Sequence, residues 1–174
     1  MRTIPDPGFT NDDGAASAEV TAALAAYERE PGRLVEALAV LQDARLLVPV
    51  VALLGEVQHD ERGLAHDKAD KQSDMATVLM QGSDGRQALL AFTGQEGLTR
   101  WNPAARPVPV TVQTAAKAAV QDGAAALLVD VAGPVPLVVE GAVLESWAAG
   151  ERLLRVEEGW AWVRLEDPDT RAGR

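Results

Sequence analysis

From residue 17 onward, the hydrophobic positions of the chain follow first a helical and then an extended period. Val20, Leu24 and Tyr27 recur at the spacing of one helix face. Ser17 precedes them and predicts an N-cap, because its hydroxyl can accept a hydrogen bond from an amide that the first helical turn leaves free. After a Pro-Gly break, residues 34–44 repeat apolar side chains at the same spacing. The pattern therefore predicts two helices ahead of the first strand.

Five apolar segments have the length and composition of β-strands. They are residues 46–54, 75–80, 87–93, 126–131 and 137–140. The first is apolar on both faces, which is typical of a strand covered on both sides, although Pro49 within it favours an edge or a bulge. The Asp84-Gly85 dipeptide between the second and third segments is a strong turn signal, so these two are predicted to form an antiparallel hairpin. The Pro-rich residues 106–110 are predicted to be extended.

Short helices are predicted between and after these strands. Residues 93–96, Thr-Gly-Gln-Glu, match a capping box, in which the hydroxyl of Thr93 bonds a downstream amide and Glu96 bonds the amide of Thr93. A helix is therefore predicted over residues 95–101. An alanine-rich helix is predicted from Thr111, and a further helix follows the last strand of the sheet.

The end of the chain predicts a second antiparallel hairpin. Residues 153–156 and 160–165 can pair around the intervening Glu-Glu-Gly sequence. Trp160 and Trp162 alternate in the second of these segments, so both point to one face of the hairpin.

The fold class that follows is α/β, of the α+β kind, in a single domain over residues 17–165. We expect a mixed β-sheet of about five strands that includes an antiparallel hairpin, flanked by helices and followed by the C-terminal hairpin. Residues 1–16 are rich in Pro, Gly, Asp and Asn without periodicity and are predicted to be a disordered leader. Residues 166–174 are predicted to be a flexible tail.

The composition excludes several kinds of chemistry. The chain of 174 residues contains no cysteine, which removes disulfides, thiolate metal sites, iron–sulfur clusters and cysteine nucleophiles. Its 16 basic and 26 acidic side chains give a net charge of −10, which disfavours a phosphate-binding surface and therefore nucleic acid as a partner. The longest apolar stretch, residues 46–54, is too short to span a membrane, and the start of the chain lacks the apolar core of a signal peptide. We therefore expect a cytoplasmic protein with neither a membrane nor a nucleic-acid partner.

One loop has the composition of a metal site. Its candidate ligands for zinc, iron or manganese are His59, Asp60, Glu61, His66 and Asp67. The spacing argues against a site, because Gly63 interrupts the helix that would bring the two histidines to one face, and the chain has no third histidine. We favour a solvated acidic loop over residues 56–73. No serine lies in a nucleophile elbow and no glycine-rich loop fits a phosphate, so no catalytic residue, metal or cofactor is assigned.

Several short segments together resemble the N-terminal domain of the SseB family. They are KQSDMA at 71–76, the turn DGR at 84–86, ALLAFTG at 88–94, LTRW at 98–101 and DVAGP at 130–134. The resemblance covers roughly residues 34–149 and consists of structural signatures without a catalytic motif. It implies an α/β domain. It defines no reaction, since the family name denotes enhanced serine sensitivity, which is a phenotype.

Asp130 is the carboxylate best placed to line a ligand crevice. It falls at the carboxyl end of an apolar strand, at the edge where open α/β sheets commonly bind ligands. The simpler interpretation, which we favour from the sequence, is that Asp130 bonds the amides of the turn at residues 133–134. Lys71 and Asp74 form a further polar pair, which the family resemblance selects for the same crevice, and a surface ion pair is the alternative for them.

A second group of candidates suits a protein partner. Tryptophan is enriched in binding hot spots, and four of the seven aromatic residues are tryptophans, although a core position is the alternative for each of them. Arginines are close to Trp101 in sequence, within a stretch, residues 75–110, where basic side chains outnumber acidic ones. An Arg/Trp surface could receive an acidic partner. The candidate partner-binding residues are Arg86, Arg100, Trp101, Arg106, Trp160 and Trp162.

These features favour a non-enzymatic α/β domain that binds another macromolecule, with a protein as the expected partner and a homodimer as a further option. Two alternatives stay open. One is a small-ligand sensor with a crevice near Asp130, and the other is an uncharacterised carboxylate-dependent hydrolase or transferase. A deep apolar pocket with convergent polar groups would favour a ligand or a substrate, whereas a flat exposed Trp/Arg patch would favour a protein partner.

Overall fold

The computed structural model describes residue 9 and residues 11–53 and 74–165, and the fold is built from these ranges. The acidic loop with its metal hypothesis, Lys71 and the predicted tail lie outside the described residues. Most of the predicted leader also lies outside them, whereas residues 11–16 are described.

Five α-helices and nine β-strands are formed within the described ranges. The helices are α1 (Ala18–Arg29), α2 (Leu34–Leu41), α3 (Gln95–Trp101), α4 (Val112–Gln121) and α5 (Gly141–Ala148), with a 3₁₀ turn at Pro31–Arg33. The strands are β1 (Arg45–Leu53), β2 (Asp74–Thr77), β3 (Leu79–Gln81), β4 (Gln87–Ala91), β5 (Arg106–Thr111), β6 (Ala126–Val129), β7 (Leu137–Glu140), β8 (Glu151–Val156) and β9 (Gly159–Arg164). No described helix has both the length and the apolar character needed to cross a membrane.

Seven of these strands form two sheets that meet at β1. One sheet has the order β2-β1-β5 and is antiparallel, and the other has the order β3-β4-β6-β7. β4 and β6 pair in parallel, whereas β3 and β7 pair with them in the antiparallel direction. Leu47 of β1 exchanges both backbone hydrogen bonds with Phe92, at 2.7 and 2.8 Å, and this bridge joins the two sheets.

The mixed α+β architecture predicted from the sequence is confirmed, with more strands than expected. The predicted hairpin around Asp84-Gly85 exists between β3 and β4, and Gly85 has the positive φ of +81° that such a turn requires. The preceding apolar segment divides at Val78, however, so that β2 pairs with β1 while β3 pairs with β4. The Pro-rich extended segment is the edge strand β5.

Pro49 lies within the central strand of the three-stranded sheet and not at an edge. Backbone groups of successive strand residues point to alternate sides, so Pro49 points the same way as Leu47, which bonds Phe92. The pairing of β1 with β2 begins only at Val50. The sheet therefore demands no amide donor from Pro49.

Both faces of the sheet are buried, as the sequence of β1 predicts. Leu46 and Val48 face a large core cluster that α1, α2, α4 and α5 cover. These helices supply it with Val20, Leu24, Leu38, Leu41, Val112, Ala115, Ala116, Ala119, Leu144 and Trp147. The opposite face, next to α3, holds a smaller cluster of Leu47, Leu90, Phe92, Leu98 and Ala105.

The C-terminal hairpin predicted from the sequence is formed by β8 and β9. It docks on the end of α2, where the side chain of Gln42 donates to the carbonyl of Leu153 at 2.9 Å and accepts from its amide at 2.8 Å. The side-chain amide thus replaces a neighbouring strand for one residue of β8.

Candidate ligand pocket at the ends of the parallel strands

The parallel strands β4 and β6 end at the same edge of their sheet, and a hydrogen-bonded pair joins the residues that follow them. Thr93 comes two residues after β4, and Asp130 comes directly after β6. The amide of Thr93 donates to Oδ1 of Asp130 at 2.8 Å, and its hydroxyl donates to Oδ2 at 2.6 Å. We call this pair the Thr93–Asp130 bridge. It lies at the edge where open α/β sheets bind ligands.

The capping box predicted at the start of α3 is wrong. The N-cap of α3 is Gly94, and no side chain in the described part of the chain caps the helix. The hydroxyl of Thr93 bonds Asp130, and the carboxylate of Glu96 bonds Arg100 at 2.6 Å. A carboxylate that is 37 residues away in sequence but adjacent in space has therefore taken the donor that a local pattern assigned to the helix.

Asp130 closes its turn with its backbone and not with its side chain. It has a positive φ of +54°, and its carbonyl accepts from the amide of Gly133 at 2.8 Å. A Cβ at Gly133 would lie 2.8 Å from the Cβ of Asp130, so the turn requires glycine there. The interpretation favoured from the sequence, that Asp130 bonds this turn, holds for its backbone carbonyl, whereas Thr93 holds the carboxylate.

Burial governs the ionisation of Asp130. The residue is only 5% exposed. Removal from water raises the pKa of the carboxyl above its usual 3.8, although the two hydrogen bonds from Thr93 act in the opposite direction. The cost of burying the ionised form therefore outweighs what the two donors contribute.

The raised pKa of Asp130 predicts a pH-dependent term in stability. Its contribution is fully present below the unfolded-state pKa of 3.8 and is lost as pH rises through the higher folded-state pKa. Asp130→Asn removes this titration and keeps acceptor and donor groups for Thr93. We expect the unfolding free energy of the wild type to fall relative to Asp130→Asn as pH rises from about 4 to 7, by at most about 1.4 kcal/mol per pH unit. Urea unfolding of both proteins at several pH values measures this difference, and a difference that does not change with pH would contradict the assignment.

A pocket of about 650 Å³ opens beside the Thr93–Asp130 bridge. This volume lies within the range of about 300–1,000 Å³ that is typical of small-molecule sites. Helix α1 contributes Leu24 and Ala25 to the wall, and the loop after Asp130 contributes Val135. Most of the lining is apolar or glycine, and the bridge provides polar atoms on one side.

Charged side chains from two helices lie on the rim of this pocket. Glu28 comes from α1, and Glu96 and Arg100 come from α3. Arg100 donates to Glu96 and, at 3.1 Å, to the carbonyl of Ala132. The guanidinium is therefore engaged on the rim.

Residues 12–16, which we call the strap, close one side of the pocket. The guanidinium of Arg45 holds it in place with contacts of 2.6 and 2.8 Å to the two carboxylate oxygens of Asp12 and of 2.8 Å to the carbonyl of Ala15. Arg45 also donates to the carbonyl of Thr93 at 2.9 Å. The carbonyl of Gly14 accepts from the first amide of α3 at 2.7 Å. The strap thereby links the pocket wall to the Thr93–Asp130 bridge.

The strap separates the main pocket from a second cavity of about 340 Å³. Ala15 and Thr93 line both cavities. The sequence predicts that order begins near Ser17, and Ser17 does cap α1 by accepting from the amide of Val20 at 3.2 Å. The contacts of the strap extend the packed part of the chain N-terminally beyond this cap.

Arg86 and Arg100, two of the candidate partner-binding residues, lie at different places on the domain. Arg86 lies in the turn before β4, where it bonds Asp84 at 2.6 Å and Glu140 at 2.9 Å. Its hydrogen bonds lower the pKa of Asp84. Arg86 is thus at the opposite end of β4 from Thr93, whereas Arg100 is on the rim of the pocket.

Trp101 and Arg106 differ in their surroundings although they are close in sequence. Trp101 is half-buried, and its ring packs against Phe92 with 5.8 Å between the ring centroids and an interplanar angle of 35°. Arg106 is exposed at the start of β5. Much of the surface of the Trp101 side chain therefore packs against the smaller core cluster.

The tryptophans of the C-terminal hairpin share one face, as predicted. Trp160 and Trp162 are partly buried and pack against the large core cluster. The guanidinium of Arg155 lies 5.5 Å from the centroid of the Trp160 ring, at a distance suited to a cation–π contact. Much of this face therefore attaches the hairpin to the rest of the domain.

Asp74, the remaining crevice candidate in the described residues, begins β2 opposite Leu53 of β1. β2 does not pair with β4 or β6, the strands that carry the Thr93–Asp130 bridge. Asp130 is the predicted crevice residue that the structure places in the pocket lining.

Sequence reasoning missed Thr93 and Glu28 as pocket residues. Thr93 offered one signal, because it follows the strand that becomes the parallel neighbour of β6. Glu28 offered none, since an acidic residue on an exposed helix face is common. Among the described residues, no group of three or more His, Asp or Glu side chains could hold a metal ion.

The fold and the pocket define a mixed α+β domain with a cavity at the carboxyl ends of its parallel strands. Residues 19–146 match the family model of the SseB protein N-terminal domain, and the chain belongs to the SseB family. The match includes both members of the Thr93–Asp130 bridge and ends before the β8–β9 hairpin. No curated protein and no solved structure matches the chain.

Proposed function

We propose that this domain binds a small, largely apolar organic molecule in the pocket beside the Thr93–Asp130 bridge and acts as a ligand-binding regulatory module. The observation that carries the proposal is the pocket itself, whose volume, apolar wall and few convergent polar groups are those of a small-molecule site. Its position at the ends of β4 and β6 agrees with the general location of ligand sites in sheets with parallel strands.

The surroundings of the tryptophans favour a ligand over the protein partner that the sequence suggested first. Trp101, Trp160 and Trp162 contribute much of their surface to the two core clusters, so a flat Trp/Arg patch has weak support. Binding of a protein through the exposed parts of these residues and the arginines stays a prediction.

Binding is favoured over catalysis because of the chemistry of the lining. Among the described residues that line the pocket there is no histidine, lysine or serine. Asp130 is the buried carboxylate, and Thr93 already donates to both of its oxygens. The described lining therefore holds no histidine or lysine base, and its one hydroxyl–carboxylate pair, Thr93 with Asp130, is engaged within the fold.

A pocket-filling substitution tests the proposal. Ala25→Leu adds three carbons to the pocket wall, whereas Ala22→Leu makes the same change at an exposed position of the same helix, so the effect on helix propensity is matched. The probe is the neutral fluorophore N-phenyl-1-naphthylamine, whose emission rises in apolar surroundings. We expect saturable enhancement with the wild type and with Ala22→Leu, and an affinity about tenfold lower with Ala25→Leu, equivalent to about 1.4 kcal/mol of lost contact. Equal titrations of the two variants, or no saturable enhancement, would overturn the proposal.

A further inference from the structure

Asp130 is a buried carboxylate without a counter-charge in the described part of the chain. Within the described ranges, both hydrogen bonds to its carboxylate come from Thr93, which is neutral. None of the ion pairs formed by the described residues includes Asp130. Buried carboxylates are ordinarily paired with a cation, because an unpaired charge is costly away from water. Asp130 lines the pocket, so a ligand in the pocket can supply that charge.

The carboxylate retains acceptor capacity and lies beside a glycine of α3 at the pocket. An ionised carboxylate offers about four lone-pair positions, of which Thr93 uses two. Gly97 of α3 lies beside it, and a Cβ built there would be 3.7 Å from Oδ1 of Asp130. Because glycine has no side chain, the space between α3 and the carboxylate stays free for a ligand atom.

The remaining charges around the pocket also favour a cation. Among the described residues of the lining, Glu28, Glu96 and Asp130 are acidic and Arg100 is basic. Arg100 is engaged by Glu96 and by the carbonyl of Ala132. The lining is therefore negative by two charges when all four groups are ionised, which attracts a cation and repels an anion.

We propose that the ligand is an organic amine, whose ammonium group bonds Asp130 and whose apolar body contacts Leu24, Ala25 and Val135. This inference rests on the proposed function, because it names the class of molecule that the same pocket takes. An ammonium carries three donors, which suits the free lone pairs of one carboxylate. A metal ion suits the site poorly, since it requires several converging oxygen ligands and no group of three or more acidic or histidine side chains among the described residues could hold one.

Three probes of one length separate charge from shape. The probes are n-hexylammonium, 1-hexanol and hexanoate, which share a six-carbon chain and differ in the charge of the head group. Binding is measured by NMR chemical-shift titration at neutral pH and constant ionic strength. We expect hexylammonium to bind about tenfold more tightly than hexanol, a difference of about 1.4 kcal/mol, and hexanoate to bind more weakly than hexanol.

Two variants assign the preference to Asp130. In Asp130→Asn, whose folding is checked by urea unfolding, the affinity ratio of hexylammonium to hexanol should fall to nearly one. In Gly97→Ala, a methyl group occupies the approach to Oδ1 while alanine replaces glycine within a helix, so the fold is retained and the affinity for hexylammonium falls. Glu36→Gln, which removes an exposed charge from α2, is the control for the net charge of the protein and should leave the ratio unchanged.

The outcomes separate the two levels of the proposal. If hexanol binds in a manner sensitive to Ala25→Leu but hexylammonium has no advantage, the amine inference is overturned and the ligand pocket stands. If hexylammonium keeps its advantage in Asp130→Asn, general attraction to an acidic protein explains the preference, and the inference is overturned. If no probe responds to Ala25→Leu, the inference and the proposed function both fall.

Discussion

Replacement of Trp147 by alanine should lower the free energy of unfolding by about 3–5 kcal/mol. Trp147 is 2% exposed and belongs to the large core cluster, so alanine leaves a cavity that the packed helices fill only in part. A cavity of about 170 Å³ already adjoins Trp147, between α4 and the start of β8, and the substitution enlarges it. Urea unfolding followed by far-ultraviolet circular dichroism measures the loss.

Trp147→Phe is the matched control for this prediction. The indole Nε1 of Trp147 has no hydrogen-bond partner among the described residues, so phenylalanine forfeits no hydrogen bond there. It keeps most of the ring and should cost less than about 1.5 kcal/mol. A loss as large as that of the alanine variant would mean that the part of the indole absent from phenylalanine, and not the filling of the core by an aromatic ring, stabilises the fold.

Thr93→Val should lower the free energy of unfolding by about 1.5–3 kcal/mol, which is the usual worth of a hydrogen bond to a charged group. Valine has nearly the same shape as threonine and keeps the amide bond to Asp130, so the change isolates the hydroxyl contact of 2.6 Å. The buried carboxylate then loses one of two donors. Thr99→Val, at an exposed position of α3, is the control and should change stability by less than about 0.5 kcal/mol.

A double-mutant cycle with Asp130→Asn tests the cause of that loss. In the asparagine background the hydroxyl of Thr93 bonds a neutral group, so Thr93→Val should cost only about 0.5–1.5 kcal/mol. Equal costs in both backgrounds would show that packing around Thr93, and not its bond to the carboxylate, sets the effect.

The elements that could be predicted from the sequence are those with local signals. The helix α3 occupies the predicted residues, Ser17 caps α1, and the Asp84-Gly85 turn forms the predicted hairpin. Each of these signals acts within a few residues along the chain, and the apolar period reports which face is buried. The family resemblance to SseB, which rests on such segments, is confirmed over residues 19–146.

The arrangement of the strands depends on contacts that no local pattern contains. The bridge between Leu47 and Phe92 decides which way the backbone groups of Pro49 point, and so makes a central position possible for this proline. The same bridge brings β1 beside β4. In the apolar segment that begins at β2, the residues before Val78 therefore pair with β1 in one sheet, and the residues after it pair with β4 in the other sheet.

For a similar reason, the sequence identified one member of the Thr93–Asp130 bridge as a pocket residue and not the other. Asp130 could be selected because it ends a buried strand, and strand ends are where ligands bind. Its partner Thr93 was assigned to a helix cap, since a capping box is defined within four residues while the true acceptor is remote. The strap was missed because Arg45 and backbone carbonyls hold it, and its sequence carries no apolar period.

The positions of Arg86 and Arg100 show that residues of one basic segment need not lie close together in space. Arg86 and Arg100 flank β4, and a strand of five residues extends for about 17 Å at about 3.3 Å per residue. One arginine therefore joins the β3–β4 turn and the other joins the pocket rim. A charge excess within a segment of sequence does not require a charged patch on the surface.

The prolines of β5 have a consequence for how copies of this chain can associate. Pro107 and Pro109 lie opposite Pro49 and Leu47, so their backbone nitrogens point away from β1 toward the free side of the sheet. A proline nitrogen carries no hydrogen, and this edge consequently cannot donate to an incoming strand at either position. Extension of the sheet by strand addition, the common route to both β-mediated dimers and aggregates, is blocked along β5. A second copy of the protein that adds a strand would therefore have to do so at an edge other than β5.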